Sequence, residues 1–299
     1  MKAALLRAAS ALAACAALAA RGEAPALRVV TLGTVLAEVA REVGGGGASV
    51  VNLVGPGVDP HTFNPSPADV RALVDADVVL ASGLGLEAYL DRLVAGAGPR
   101  GRVVEVGDAL PVVIRAPGAG PGGERDPHWW HSIDDVAAAA ELVRAEFARA
   151  RPGSSEAFAR NARAYERRLA ALRAWVEAQV ATLPPGRRQL VTSHDAFAYF
   201  ARDYGFAIHP INGLSTESEA DGRRLASLID LIQRERIRAV FAEGSANPRL
   251  VANLVAETGV RLGGALYADG LGPPGSGAET YEAMVRHNVR AIVAALSGP

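Results

Sequence analysis

The chain has 299 residues, enough for two domains, and its 49% hydrophobic content is ample for packed cores and argues against disorder. Its 31 basic residues nearly balance 32 acidic ones with no Lys/Arg block, which disfavours nucleic-acid binding through phosphate neutralisation.

Residues 1–20 read as an export signal, with Lys2 and Arg7 ahead of an apolar stretch too short to span a bilayer. Two processing routes fit. Cleavage after Ala19 satisfies the small-x-small rule through Ala17, whereas Leu12-Ala13-Ala14-Cys15 has the form of a lipobox that would anchor the chain through Cys15. Either route puts the mature protein outside the cytoplasm, periplasmic or lipid-anchored. Ordinary cleavage removes the single cysteine, leaving neither disulfides nor thiolate ligands.

Residues 27–32 form a short strand pattern, followed by a helix over 34–43 that ends in the Gly44–Gly47 run. A strand at 49–54 leads into a Gly/Pro loop containing Asp59-Pro60-His61. Ser66 then suits an N-cap, with Pro67 at the first helical position and Asp69 three residues past the cap. A buried-looking strand at 77–81, a helix at 86–94 and a strand at 102–106 complete a βα alternation that predicts a parallel sheet.

The Gly/Pro-rich loop that follows carries Asp126-Pro127-His128-Trp129-Trp130-His131, two of the six histidines beside two of the three tryptophans. A helix covers 133–149, and an uninterrupted helical pattern then runs from 154 to 183 with an apolar stripe through Phe158, Tyr165, Leu169, Leu172, Val176 and Val180. At full length it spans roughly 45 Å, which suits a rigid spine between two domains, although a surface helix of one domain fits too. The alternation restarts with strands at 189–193, 207–210, 238–242 and 261–267 and helices at 196–204, 219–235, 248–258 and 279–296. The expected organisation is α/β: a lobe over 27–153, a linking helix over 154–183 and a similar lobe over 187–299.

In open parallel sheets, ligands bind in the loops leaving the carboxyl ends of the strands. Four such loops carry metal-type ligands: His61, His128 with His131, His194 and Asp269. Two precede the long helix and two follow it, which predicts a site in an interdomain cleft. Three imidazoles and one carboxylate suit Zn²⁺, and Mn²⁺ or Fe²⁺ with less preference. Each residue also has a plainer reading. His61 would stabilise its loop, His131 would pack against the tryptophans, His194 would be a satisfied core histidine and Asp269 a turn residue. His209 and His287 read as structural, and Glu243 as either a ligand-orienting carboxylate or a solvated strand end.

The motifs carry a resemblance that chooses among these readings. Gly57-Val58-Asp59-Pro60-His61-Thr62-Phe63 with Pro65 and Asp69 resembles the first signature of the metal-binding receptors of zinc and manganese ABC importers. Asp126-Pro127-His128-x-Trp130 resembles the second, Ser193-His194-Asp195-Ala196-Phe197-x-Tyr199-Phe200 the third, and Tyr267-Ala268-Asp269 occupies the place of the fourth. The resemblance runs from about residue 27 to the end. It implies metal ligation by His61, His128, His194 and Asp269, with Zn²⁺ (or Mn²⁺/Fe²⁺) as transported ligand. It also implies an ABC permease with its cytoplasmic ATPase as partner, and a monomer that is not an enzyme. His at the third position looks like the zinc or mixed type, manganese-specific members tending to carry Glu. Two departures stand out: His131 where the family usually has Leu, leaving it an alternate ligand or a group that orients one, and a short Gly-Pro loop at 117–123 in place of a His- and acid-rich one.

The functional expectation is therefore an extracytoplasmic receptor for a divalent transition metal, most simply Zn²⁺. Alternatives are a manganese or iron receptor of the same type, a metal-binding surface adhesin, and an exported zinc hydrolase using Glu243 as base. A site closed by four protein ligands leaves no position for reacting water, which favours binding over catalysis.

Overall fold

The computed structural model describes residues 25–116, 123–216, 222–244 and 248–298. The expected leader with Cys15, most of the 117–123 loop and the first residues of the helix expected from 219 lie outside them. The first sheet contains β1 (Leu27–Thr31), β2 (Ala48–Asn52), β3 (Val78–Ala81) and β4 (Arg102–Glu105) in the order β2-β1-β3-β4. Helices α1 (Thr34–Gly44), α2 (Pro67–Val74) and α3 (Leu90–Ala97) connect them. Two long helices follow, α4 (Ile133–Ala150) and α5 (Ser155–Val180). The second sheet contains β5 (Gln189–Thr192), β6 (Ala207–Pro210), β7 (Ala239–Glu243) and β8 (Arg261–Leu266) in the order β6-β5-β7-β8. Its helices are α6 (Ala198–Tyr204), α7 (Gly222–Glu235), α8 (Pro248–Thr258) and α9 (Tyr281–Ser297).

Every strand pairing described is parallel, and the two sheets share one strand order. The chain is two similar α/β lobes joined by a long helix. All four residues of β3 are buried, as expected for an inner strand covered by helices on both faces. At α2 the anticipated cap forms as a full capping box, Ser66 Oγ accepting from Asp69 N while Asp69 accepts from Ser66 N at 2.7 Å.

Two boundaries move. The helix expected from 86 starts only at Leu90: Gly83, Leu84 and Gly85 form a turn with positive φ (78°, 58° and 91°), and Glu87 is drawn back onto it. Backbone N–H groups freed by this turn are claimed by carboxylates: Glu87 accepts from Ser82 N (2.7 Å) and Gly83 N (3.0 Å), and Asp108 from Leu84 N (2.9 Å). The spine α5 has 26 residues, about 39 Å, rather than thirty. Its last apolar residue, Leu183, is buried but sits in a turn whose N–H bonds to Val180 O, just ahead of Pro184.

The expected stripe on α5 is the buried one: Phe158, Tyr165, Leu169, Leu172, Val176 and Val180. It packs against α1, α4 and α9. One apolar cluster therefore runs from Val29 and Leu80 through Phe158 and Leu172 to Val289 and Ile292, so both sheets share a core. No helix among the described residues is long and apolar enough to cross a membrane.

Candidate metal centre

The loops leaving the two sheets bring His61, His128, His194 and Asp269 together, with one potential ligand atom from each lying within 4.8 Å of the others. His128 Nε2 is 3.2 Å from His61 Nε2 and 3.3 Å from His194 Nε2. Asp269 Oδ1 stands 3.2 Å from His194 Nε2, 3.6 Å from His61 Nε2 and 3.7 Å from His128 Nε2. A regular tetrahedron around an ion with bonds of about 2.05 Å has edges of about 3.3 Å, so these spacings suit one four-coordinate ion.

Local sequence positions each side chain. His194 lies two residues past β5, where the strand order reverses toward β6 on one side and β7 on the other, the crevice where open α/β sheets bind ligands. Glu243 ends β7 beside it. Its Oε2 bonds His194 Nδ1, and its Oε1 accepts from Ser193 N at 3.1 Å. The ring is thereby oriented with Nε2 facing the cluster, the carboxylate–histidine arrangement that fixes metal-ligating imidazoles.

His128 is oriented in the same way. Asp126 Oδ1 accepts both His128 N and His128 Nδ1 at 2.8 Å. The upstream loop repeats half of this device, Asp59 Oδ1 accepting from His61 N at 2.8 Å. Asp59 Oδ2 in turn accepts from Thr216 Oγ1 of the second lobe at 2.5 Å, a bond across the cleft. Asp126 and Asp59 have no role assigned by the motifs alone. Their signal was the recurrence of Asp-Pro-His, in which the carboxylate two residues ahead reaches the histidine's own backbone N–H.

Gly270 explains the turn after Asp269. It adopts φ +153°, and a Cβ there would run into Thr34 Oγ1, which accepts from Leu271 N at 2.8 Å. His131 stands outside the quartet: its Nε2 is 2.9 Å from Ala268 O. His209 and His287 bond Gln189 Oε1 and Ala265 O, as befits structural histidines.

Burial and neighbours set the charges. Burial disfavours an imidazolium at His194, but Glu243 and Asp269 outweigh it and hold its pKa well above the usual histidine range. Burial, reinforced by His194 and His61, pushes His128 well below that range. Burial would raise Asp269, yet the charged His194 overrides it and keeps the carboxyl well below the carboxylate range. Burial lifts Asp126 to about 6 and drives His131 down to about 3. In the metal-free pocket His194 thus sits as an imidazolium between Glu243 and Asp269, a position that a cation can take over.

Two parallel α/β lobes on a helical spine, with a three-imidazole, one-carboxylate cluster between them, define a two-lobed receptor for a metal ion. The chain belongs to the ZnuA family, the periplasmic component A of zinc-uptake complexes, which matches residues 29–295. This is a family of metal-binding substrate-binding proteins of ABC importers, receptors and not enzymes. The chain is 39% identical over 275 residues to the manganese-binding lipoprotein MntA of Bacillus subtilis, covering 90% of each chain. It is 30% identical over 266 residues to the iron-binding protein YfeA of Yersinia pestis, covering 89% of this chain and 85% of that one. Its fold superposes on the periplasmic zinc-binding protein TroA of Treponema pallidum with a TM-score of 0.84 at 34% identity, covering 91% of this chain and 99% of that one.

Proposed function

We propose that the chain is an extracytoplasmic receptor that captures one divalent first-row transition metal through His61, His128, His194 and Asp269 and delivers it to an ABC permease coupled to a cytoplasmic ATPase. The observation that carries this reading is the convergence of four donor atoms drawn from loops of both lobes, five of their six separations lying between 3.2 and 3.7 Å. Zn²⁺ is the ion such a donor set fits best, since it favours four-coordinate nitrogen and oxygen ligands. The exported leader over residues 1–20 supports the location, with either a soluble periplasmic product or a lipid anchor at Cys15. The 27–153 lobe supplies His61 and His128, the 187–299 lobe supplies His194 and Asp269, and the 154–183 segment holds them in one frame.

Mn²⁺ is the second reading, favoured by the 39% identity to a protein named for manganese binding. A monodentate carboxylate with three imidazoles serves it less well, because manganese prefers more oxygen ligands. Calorimetry on chelator-stripped mature protein tests the proposal: about one tight Zn²⁺ site per chain is expected, lost in His61→Ala and in His194→Ala. Tight binding that survives both substitutions rejects the assignment. Elemental analysis of protein purified from its native envelope separates the zinc and manganese readings.

A further inference from the structure

His131 is the one buried imidazole near the cluster that ligation leaves without a task. It is 7% exposed, and its ring meets Ala268 and Phe197, on two segments other than its own. Its Nε2 is 2.9 Å from Ala268 O, the carbonyl of the residue preceding Asp269. Because a carbonyl only accepts, the ring holds its proton on Nε2. The neighbouring Trp130 Nε1 donates to the same oxygen at 2.8 Å, so two donors from the His128 loop converge on one carbonyl of the other lobe. The opposite face of His131 packs on Phe197, three residues past His194, with centroids 4.3 Å apart and planes inclined by 31°. Trp130 meanwhile stands edge-on to the His128 ring at 5.4 Å.

We infer that His131 is a positioning residue: with Trp130 it braces the Ala268–Asp269 peptide and so fixes where Asp269 Oδ1 meets the ion. It touches no donor atom of the quartet and acts through three of the four ligand-bearing segments. The second attachment of the Asp269 loop, Leu271 N to Thr34 Oγ1 at 2.8 Å, lies beyond the ligand. Asp269 is therefore held on both sides, by His131 and Trp130 before it and by Thr34 after it. A ligand on a tethered loop is expected to leave the ion slowly. The brace should accordingly govern dissociation, with association little affected. This inference rests on the proposed metal-binding role.

The test compares His131→Leu, which keeps apolar bulk but removes the donor, with His131→Gln, whose side-chain N–H₂ can reach the same carbonyl. Two measurements are made on the full mature chain. Hydrogen exchange across residues 267–271 of metal-free protein reads the brace without any metal. It is expected to quicken in His131→Leu and to return toward wild type in His131→Gln. Stopped-flow transfer of Zn²⁺ to a chelator reads the consequence: the dissociation rate of His131→Leu should rise about fivefold, with association changed less than about twofold and the Gln variant close to wild type. In an Asp269→Asn background the Leu substitution should add little, because its effect runs through Asp269. Unchanged exchange in His131→Leu overturns the brace. Quickened exchange with unchanged dissociation, or an equal rise in both Asp269 backgrounds, overturns its role in holding the ion. Wild-type protein that binds neither Zn²⁺ nor Mn²⁺ refutes the metal-receptor reading itself, while the exchange data still decide whether the brace exists.

Discussion

Replacing Glu243 by Gln isolates the part of the site that touches no metal. Its carboxylate is buried, bonds His194 Nδ1 and accepts from Ser193 N. Gln retains the volume and one acceptor but removes the charge, so the His194 ring keeps its place while losing basicity and its strongest orienting contact. Changes of this kind beside metal-ligating histidines weaken binding by about 10–100-fold, or about 1.4–2.7 kcal/mol. Protons add a second effect with a definite sign. In metal-free wild type, Glu243 and Asp269 hold His194 well above the usual histidine range, so the ion must displace a tightly held proton. Without the Glu243 charge that proton is held less tightly, and proton competition weakens. The affinity deficit of Glu243→Gln should therefore be largest near about pH 8 and narrow toward about pH 6. Competition against a chromophoric chelator across that range measures it. A deficit below about threefold near about pH 8, or one that widens on acidification, would refute the reasoning.

Metal binding near neutral pH should release the proton that His194 holds in the metal-free site, while the neutral His128 contributes none. Calorimetry in buffers of differing ionisation enthalpy detects it, and binding that releases no proton would contradict this charge assignment. Leu172→Ala in α5 removes a side chain 1% exposed in the core common to both sheets. It should cost about 2–5 kcal/mol in denaturant unfolding while the chain still unfolds in one transition, and a loss confined to one lobe would argue against a common core.

Much of this architecture is legible in the sequence because its determinants are local. Apolar runs such as Val78–Ala81 punctuated by Gly, Pro and Ser caps mark the alternating strands and helices, and the α5 stripe repeats for long enough to identify a spine. The candidate ligands are legible as metal-type residues in strand-to-helix loops, and their motifs carry the family resemblance. What escapes depends on distant partners. Residues 86–89 have a helical composition, but Glu87 is drawn back to cap Ser82 and Gly83, and the helix starts later. The convergence of His131 and Trp130 on one carbonyl joins residues 137 and 138 positions apart, so no spacing rule could suggest it. Asp126 was visible beside His128, yet its grip on Nδ1 follows only from the ring's orientation.

X-ray absorption at the zinc edge of protein loaded with one equivalent of Zn²⁺ tests most directly whether the two lobes share one closed four-ligand site. Four light scatterers at about 2.0–2.1 Å are expected, with the outer-shell pattern of three imidazoles. That imidazole signal should fall to two in His194→Ala. Fewer imidazoles in the wild type, or a five- or six-coordinate shell filled by water, would contradict it.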